Sequence, residues 1–456
     1  MKGVNTLVRN ITGFGEGDKR SNLAKKNIFG SIIIKGLNIG VGLLLIPLTI
    51  NYLEPTRYGI WITLSSIIGW FGFFDIGLGN GLRNRLAEAL AKEDLKLARI
   101  YVSTTYAILS LIILGVLLLF YLVNPLLNWN KILNAGVDII THNELSLLAS
   151  IVFTFFSIQF VLKLIATILR ADQLPAKASL FDFFAKLISL IFILILIKTT
   201  EGSLLYLGVI ISLSPLLVLA FASLWFFNKK YKNIRPAWSF VKFDKAKDLF
   251  SLGAKFFIIQ IAAILLYQTN TIIISQLFGP EQVAPYNIAF QYFSIIMMVF
   301  SIIVSPFWSA FTEAWVKNDI QWIKNIMNKL FKVWGFLFFI GVFMILFSKQ
   351  IFNIWIGDIV SIPIMMSVLV CIWVFINTWS SIFSQFLNGV GKLKLQLYLG
   401  LGAAILNVPL AIYMGMKIGI LGVLLANIVV SIAGVIIYPV QYKKIINNNA
   451  KGIWNA

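Results

Sequence analysis

Three lysines, Lys35, Lys163 and Lys186, stand inside long apolar runs, where a charge costs roughly 2.5–3.5 kcal/mol at the centre of a bilayer. Residues carried at that cost are candidates for chemistry. At 1.5 Å of rise per residue, all three lie roughly 10 Å from the same edge of their predicted helices. A cationic vestibule at that depth would receive an anionic headgroup such as a pyrophosphate, for which lysine acts as a compact point charge. The competing reading is snorkelling, in which the lysine stem lies along apolar surface and the ammonium reaches the headgroups. Asn38, three residues beyond Lys35, is grouped with the lysines as a substrate-binding candidate. Gln260, Gln268 and Asn270 join them as an uncharged hydrogen-bonding wall suited to a sugar, and Asn377, Ser380, Ser381, Ser384 and Gln385 extend the same polar character. Such side chains also join helices to one another in membranes. The acidic candidates for coupling or gating are Asp75, Asp182 and Glu313. Asp182 precedes Lys186 by one helical turn and could pair with it, while Asp75 and Glu313 sit at helix ends, where caps and salt bridges are the simpler roles.

The elements that must position these groups follow from composition. Of 456 residues, 59% are hydrophobic and 12% charged, and the mean hydropathy is +0.88, so the bilayer is the solvent. Apolar runs long enough to span occur at 28–50, 58–75, 100–124, 145–169, 178–198 and 204–227, then at 251–278, 284–306, 325–347, 361–386, 393–415 and 418–439. They predict an all-α membrane protein of about twelve transmembrane helices in two parallel, pseudo-symmetric six-helix bundles. The expected division is a cytoplasmic tail at 1–27, bundles at 28–227 and 251–440, a cytoplasmic linker at 228–250 and a tail at 441–456. With both termini cytoplasmic, Lys and Arg gather inside, leaving Arg57, Lys131, Lys198, Lys349 and Lys417 outside. The net charge of +20 therefore points to a membrane surface and away from nucleic acid. A lone cysteine, Cys371, and a lone histidine, His142, leave little material for disulfides, zinc sites or histidine-based catalysis. No catalytic residue, metal or cofactor is expected.

The two halves repeat. Leu53-Glu54-Pro55 corresponds to Phe278-Gly279-Pro280 at an offset of 225 residues, and the stretch 86–95 then lies over 311–320 without gaps. Identities fall at Glu88/Glu313, Ala89/Ala314, Lys92/Lys317 and Asp94/Asp319. Six spans per half give both copies one orientation, as in transporters whose halves are related by an axis along the membrane normal. In the repeated segment Leu82, Leu86 and Leu90 share one helical face, which predicts a helix lying in the cytoplasmic interface or, more simply, a structural elbow. The glycines of Asp75-Ile-Gly-Leu-Gly-Asn-Gly81 follow a membrane helix and no strand, so they are read as a flexible joint and not as a dinucleotide fingerprint.

The stretches Leu53-Glu-Pro-Thr-Arg-Tyr-Gly-Ile-Trp61, Phe74-Asp-Ile-Gly-Leu-Gly-Asn-Gly-Leu-Arg-Asn-Arg85 and Leu387-Asn-Gly-Val-Gly-Lys392, with the Glu88–Asp94 segment, resemble polysaccharide-biosynthesis flippases of the multidrug/oligosaccharidyl-lipid/polysaccharide exporter superfamily. The resemblance implies transfer of a polyprenyl-pyrophosphate-linked oligosaccharide, for O-antigen, capsule or a similar polymer, from the inner to the outer leaflet of a bacterial cytoplasmic membrane. It implies membrane lipids and the polysaccharide polymerase and ligase machinery as partners. Two other readings stay open. One is a cation-driven drug exporter, although exporters of this superfamily commonly use acidic cavity residues. The other is a membrane-embedded polymerase or transferase, for which the longest outside loop, 125–144, offers only Asp138, His142 and Glu144.

Overall fold

The computed structural model describes residues 19–71, 78–172, 174–249, 269–304 and 307–455. Among them, helices are the only regular structure: α1 (Lys19–Trp70), α2 (Leu78–Ala91), α3 (Leu95–Val123), α4 (Trp129–Leu133), α5 (His142–Leu162), α6 (Leu164–Ala171), α7 (Pro175–Thr199) and α8 (Leu204–Asn228), then α9 (Val283–Val304), α10 (Phe307–Val316), α11 (Ile320–Leu346), α12 (Ser348–Ile356), α13 (Ile364–Val390), α14 (Lys394–Ile418) and α15 (Ile420–Ile446), with short 3-10 turns. Ten described helical stretches are long and apolar enough to cross a bilayer. All-helical architecture is what the bilayer demands, because each helix satisfies its backbone internally.

The first two predicted spans form one helix, α1, broken at Glu54 (φ 65°, ψ 160°). Pro55 explains the break: its ring disfavours the α conformation of the residue before it. The repeat places Gly279 before Pro280 with nearly the same backbone, φ 94° and ψ 156°. Glycine meets that conformation without a Cβ penalty, whereas Glu54 carries the strain. Helix α1 also reaches back to Lys19, so part of the stretch predicted as a polar tail is helical; its Lys, Arg, Leu and Ala residues are good helix formers.

The correspondence continues through the elbow. Glu93 and Asn318 both turn left-handed, with φ 57° and 54°. Asp94 then caps α3 by accepting from the Leu97 N–H at 2.9 Å, and Asp319 caps α11 by accepting from the Trp322 N–H at 3.0 Å. The shared Asp is thus a helix start. Replacing either by alanine should cost about 1 kcal/mol, measured as the fall in thermal midpoint of the purified protein, with Asn nearly neutral.

The chain forms two compact units, one of residues 1–53 with 68–258 and the other of 54–67 with 259–456. In the first, Leu78, Leu82 and Leu86 of α2 are fully buried in a cluster with Leu164, Ile165, Ile168 and Leu169 of α6 and with Leu249. The amphipathic segment therefore turns its apolar face onto protein and not into the interfacial lipid, which makes it an elbow. Gly81, read in the sequence as part of a flexible joint, lies within α2; a Cβ there would stand 2.2 Å from the Leu249 carbonyl oxygen. Its lack of a side chain admits the neighbouring backbone. In the second unit, Phe293, Phe300, Phe311, Phe383 and Phe386 are fully buried. Tyr58 donates to Asn287 Oδ1 at 2.9 Å there, and Gly59 faces the Pro280 backbone. The Gly391 of the 387–392 stretch ends α13 in a left-handed cap, φ 75°, with the Lys392 N–H bonded back to the Leu387 carbonyl at 3.0 Å.

Candidate functional site

Lys35, Asn38 and Gly42 recur at helical spacing on one face of α1. Against that face lies Lys186 of α7, half-buried, whose Nζ donates to the Asn38 carbonyl at 3.4 Å. A Cβ on Gly42 would stand 3.2 Å from the same Nζ, so the glycine leaves the ammonium its place. Lys35 is exposed one turn away. The Asn38 side-chain oxygen is buried with no donor among the described residues.

Asp182 does not form the close ion pair expected with Lys186. Its carboxylate is exposed and acts at longer range on two cations, Lys186 and Arg170 of α6, which also feels Arg83 of α2. Lys186 and Arg170 thus share the field of one carboxylate, with Arg83 acting on Arg170 and Lys35 one helical turn from the Asn38 carbonyl that Lys186 bonds. At an effective dielectric of about 20, unit charges 4 Å apart interact by about 4 kcal/mol. A phosphate entering this group would be attracted by several such charges and repelled by one.

Arg83 and Arg170 were not among the sequence candidates. Both lie beyond the ends of predicted spans, where a basic residue reads as a topology signal. The available signal was that each stands within a turn or two of the predicted span end nearest the lysines. Lys163 does not join the group. It stands where α5 gives way to α6, its N–H bonded to Gln159 O and Val161 O, and its side chain is exposed. Asn270 is buried in the second unit, its Nδ2 3.5 Å from the Tyr286 hydroxyl, a helix-joining arrangement. Asp75, Gln260 and Gln268 lie outside the described residues. Glu313 lies on α10, its side chain outside them too.

A second polar group joins α6 to the segment after α8 in the first unit. Asp172 accepts from the Tyr231 hydroxyl at 2.7 Å and pairs with Lys230. Burial, and then the Asp172 carboxylate beside it, push ionisation of the Tyr231 phenol above the ordinary tyrosine range. The linker that follows is fastened along α3: Arg99 donates to the Arg235 carbonyl at 3.0 Å, and the Lys242 N–H donates to Thr104 Oγ1 at 3.0 Å.

Comparison with known proteins agrees with this architecture. A candidate O-antigen transporter of Salmonella typhi is 25% identical over 393 residues, covering 84% of this chain and 88% of its own. A candidate O-antigen export protein of Yersinia pseudotuberculosis is 22% identical over 355 residues, covering 76% and 79%. Among solved structures, an inward-facing multidrug-resistance transporter of the MATE family superposes with a TM-score of 0.75 at 14% identity, over 92% of this chain and 96% of that one. A transporter of the same superfamily from Pyrococcus furiosus, described as having a binding pocket of reversed polarity, gives 0.64 at 15% identity, over 96% and 100%. The fold is therefore MATE-like. A family model for MatE matches residues 256–413, and one for polysaccharide biosynthesis proteins matches residues 24–315, well over half of the chain. The chain belongs to the polysaccharide biosynthesis protein family of membrane transporters.

Proposed function

We propose that this protein is a flippase that moves a polyprenyl-pyrophosphate-linked oligosaccharide from the inner to the outer leaflet of the bacterial cytoplasmic membrane. The observation that carries the proposal is the cation group of the first unit, in which Lys186 bonds the Asn38 carbonyl one turn from Lys35 and shares the field of the Asp182 carboxylate with Arg170, itself within the field of Arg83. In this reading the pyrophosphate enters from the cytoplasm and is held by the two lysines, with the Asn38 oxygen accepting from a sugar hydroxyl. The arginines raise the local potential and steer the anion inward. Asp182 spaces the cations and keeps the site from binding so tightly that release fails.

Twelve spans with both termini inside, arranged as repeat halves at 28–227 and 251–440, complete the reading. Two halves of one orientation can exchange access between the faces of the membrane, while the lipid tail stays in hydrocarbon and the sugar crosses in a polar cavity. The protein then works as a transporter and needs no catalytic group or cofactor. O-antigen transporters among the relatives support a surface-polysaccharide cargo, delivered to polymerase and ligase machinery. An excess of cations is poorly suited to a cationic drug.

The test is a mass-spectrometric profile of polyprenyl-linked glycans in a deletion strain and its parent, with surface polymer scored alongside. The expected result is accumulation of a complete lipid-linked repeat unit with loss of surface polymer. Unchanged lipids with altered drug sensitivity would overturn the proposal in favour of drug export.

A further inference from the structure

Residues 229–248 carry seven basic residues against two acidic ones, Asp244 and Asp248, and they run as a strap along the start of α3. Three residues of α3 hold it. Arg99 Nε donates to the Arg235 carbonyl at 3.0 Å, Ser103 Oγ accepts from the Ala237 N–H at 3.1 Å, and Thr104 Oγ1 accepts from the Lys242 N–H at 3.0 Å. The Arg99 guanidinium also lies over the Phe240 ring, 4.1 Å from its centroid. Tyr231 and Ile234 of the strap are buried, whereas Trp238 is 77% and Phe243 58% exposed. Two large apolar side chains therefore stand off a strap whose backbone is fixed.

The depth of the strap selects the medium around them. Helix α3 has 29 residues, about 43 Å at 1.5 Å per residue, and so exceeds a hydrocarbon core of about 30 Å. The excess lies at its start, where Lys96 and Arg99 precede the apolar run that begins at residue 100. Ser103 and Thr104 stand roughly 5–6 Å beyond that point, so they hold Ala237 and Lys242 at the boundary between headgroups and hydrocarbon. Tryptophan gathers at that level in membrane proteins, its ring amphipathic. The cations then give the sign of the partner. Lys230 pairs with Asp172 and Lys245 with Asp248 at 3.7 Å, but Lys232, Lys242 and Lys247 are exposed and have no acidic partner among the described residues. Apolar side chains flanked by unpaired lysines at the interface fit a lipid with a net negative headgroup. A zwitterionic lipid offers the aromatic rings the same contact and the lysines no net charge.

We propose that the strap is a docking surface for anionic phospholipid, with Trp238 and Phe243 seated among the roots of the acyl chains and Lys232, Lys242 and Lys247 on the headgroup charges. The surface serves whatever cargo the protein carries, so its test is independent of the flippase reading. Purified full-length protein in nanodiscs of mixed phosphatidylcholine and phosphatidylglycerol is irradiated with one or other lipid bearing a diazirine beside its ester group, at equal mole fraction. Adducts are mapped by peptide mass spectrometry. Phosphatidylglycerol is expected to label residues 232–247 on the order of tenfold more than phosphatidylcholine, and the preference should shrink as salt is raised. Lys232→Gln, Lys242→Gln and Lys247→Gln together should bring the ratio to about one. Trp238→Ser with Phe243→Ser should remove labelling of the strap by both lipids. All five side chains are exposed, so the thermal midpoint should stay that of the unaltered protein. Equal labelling of the strap by the two lipids in the unaltered protein overturns the proposal, and so do adducts confined to the long apolar helices, which would mean that the strap faces water.

Discussion

Protein carrying Lys35→Ala and Lys186→Ala together is expected to bind a short-chain prenyl pyrophosphate on the order of 100-fold more weakly than the unaltered protein. A hydrogen bond to a charged group contributes about 1.5–3 kcal/mol, so losing two at the lower bound removes about 3 kcal/mol, which is about two decades in Kd. Binding should survive at a low level because Arg83 and Arg170 remain. It should also weaken with salt, since Lys35 is exposed and exposed charges are screened over roughly 10 Å at 0.1 M. Replacing both lysines by arginine keeps the charge and should cost only a few-fold. Lys163→Ala should change nothing, because that side chain stands apart at the junction of α5 and α6. Isothermal titration of the three variants in the same detergent decides the matter. A double-alanine variant within threefold of the unaltered protein would show that the cation group serves topology and not substrate.

Gly59→Ala is expected to abolish the folded protein. An added Cβ would stand 1.7 Å from the Pro280 carbonyl oxygen and 2.5 Å from its carbon. Both are backbone atoms, and the turn they belong to is already committed to the Gly279 conformation. No rotamer change relieves the overlap, so the helix must separate from the turn and break the nearby Tyr58–Asn287 hydrogen bond. A loss above about 4 kcal/mol belongs to the rare severe class of substitutions. Fluorescence-detected gel filtration should show aggregate or no protein. Gly36→Ala is the control, since nothing lies within 4 Å of the added methyl group there, and it should elute as the unaltered protein does.

What could be read from residue types and what could not divide along physical lines. The helical class followed from hydropathy because the bilayer leaves few alternatives. The repeat was legible because its Pro55/Pro280 and Asp94/Asp319 positions do local backbone work, and the structure gives both copies the same turns and caps. Lys35 and Lys186 stood out because charge in an apolar run is costly. Arg170 did not, since near a helix end the same charge is cheap. The elbow's burial was also hidden: an amphipathic face looks alike whether it meets lipid or protein.

The division of α1 between the two units has a consequence for how the chain is made. Residues 54–67 belong with 259–456, and their Ile60, Thr63 and Leu64 are fully buried. The ribosome delivers this segment nearly two hundred residues before its partners. At about 5–20 residues per second, the wait is roughly 10–40 s. During that interval Thr63 depends on its own helix, through the bond from its hydroxyl to the Gly59 carbonyl at 2.8 Å, and the face around it must be covered by lipid or an insertion chaperone. Synthesis therefore leaves an early helix waiting in the membrane, and a ribosome stalled after the first half would strand it there.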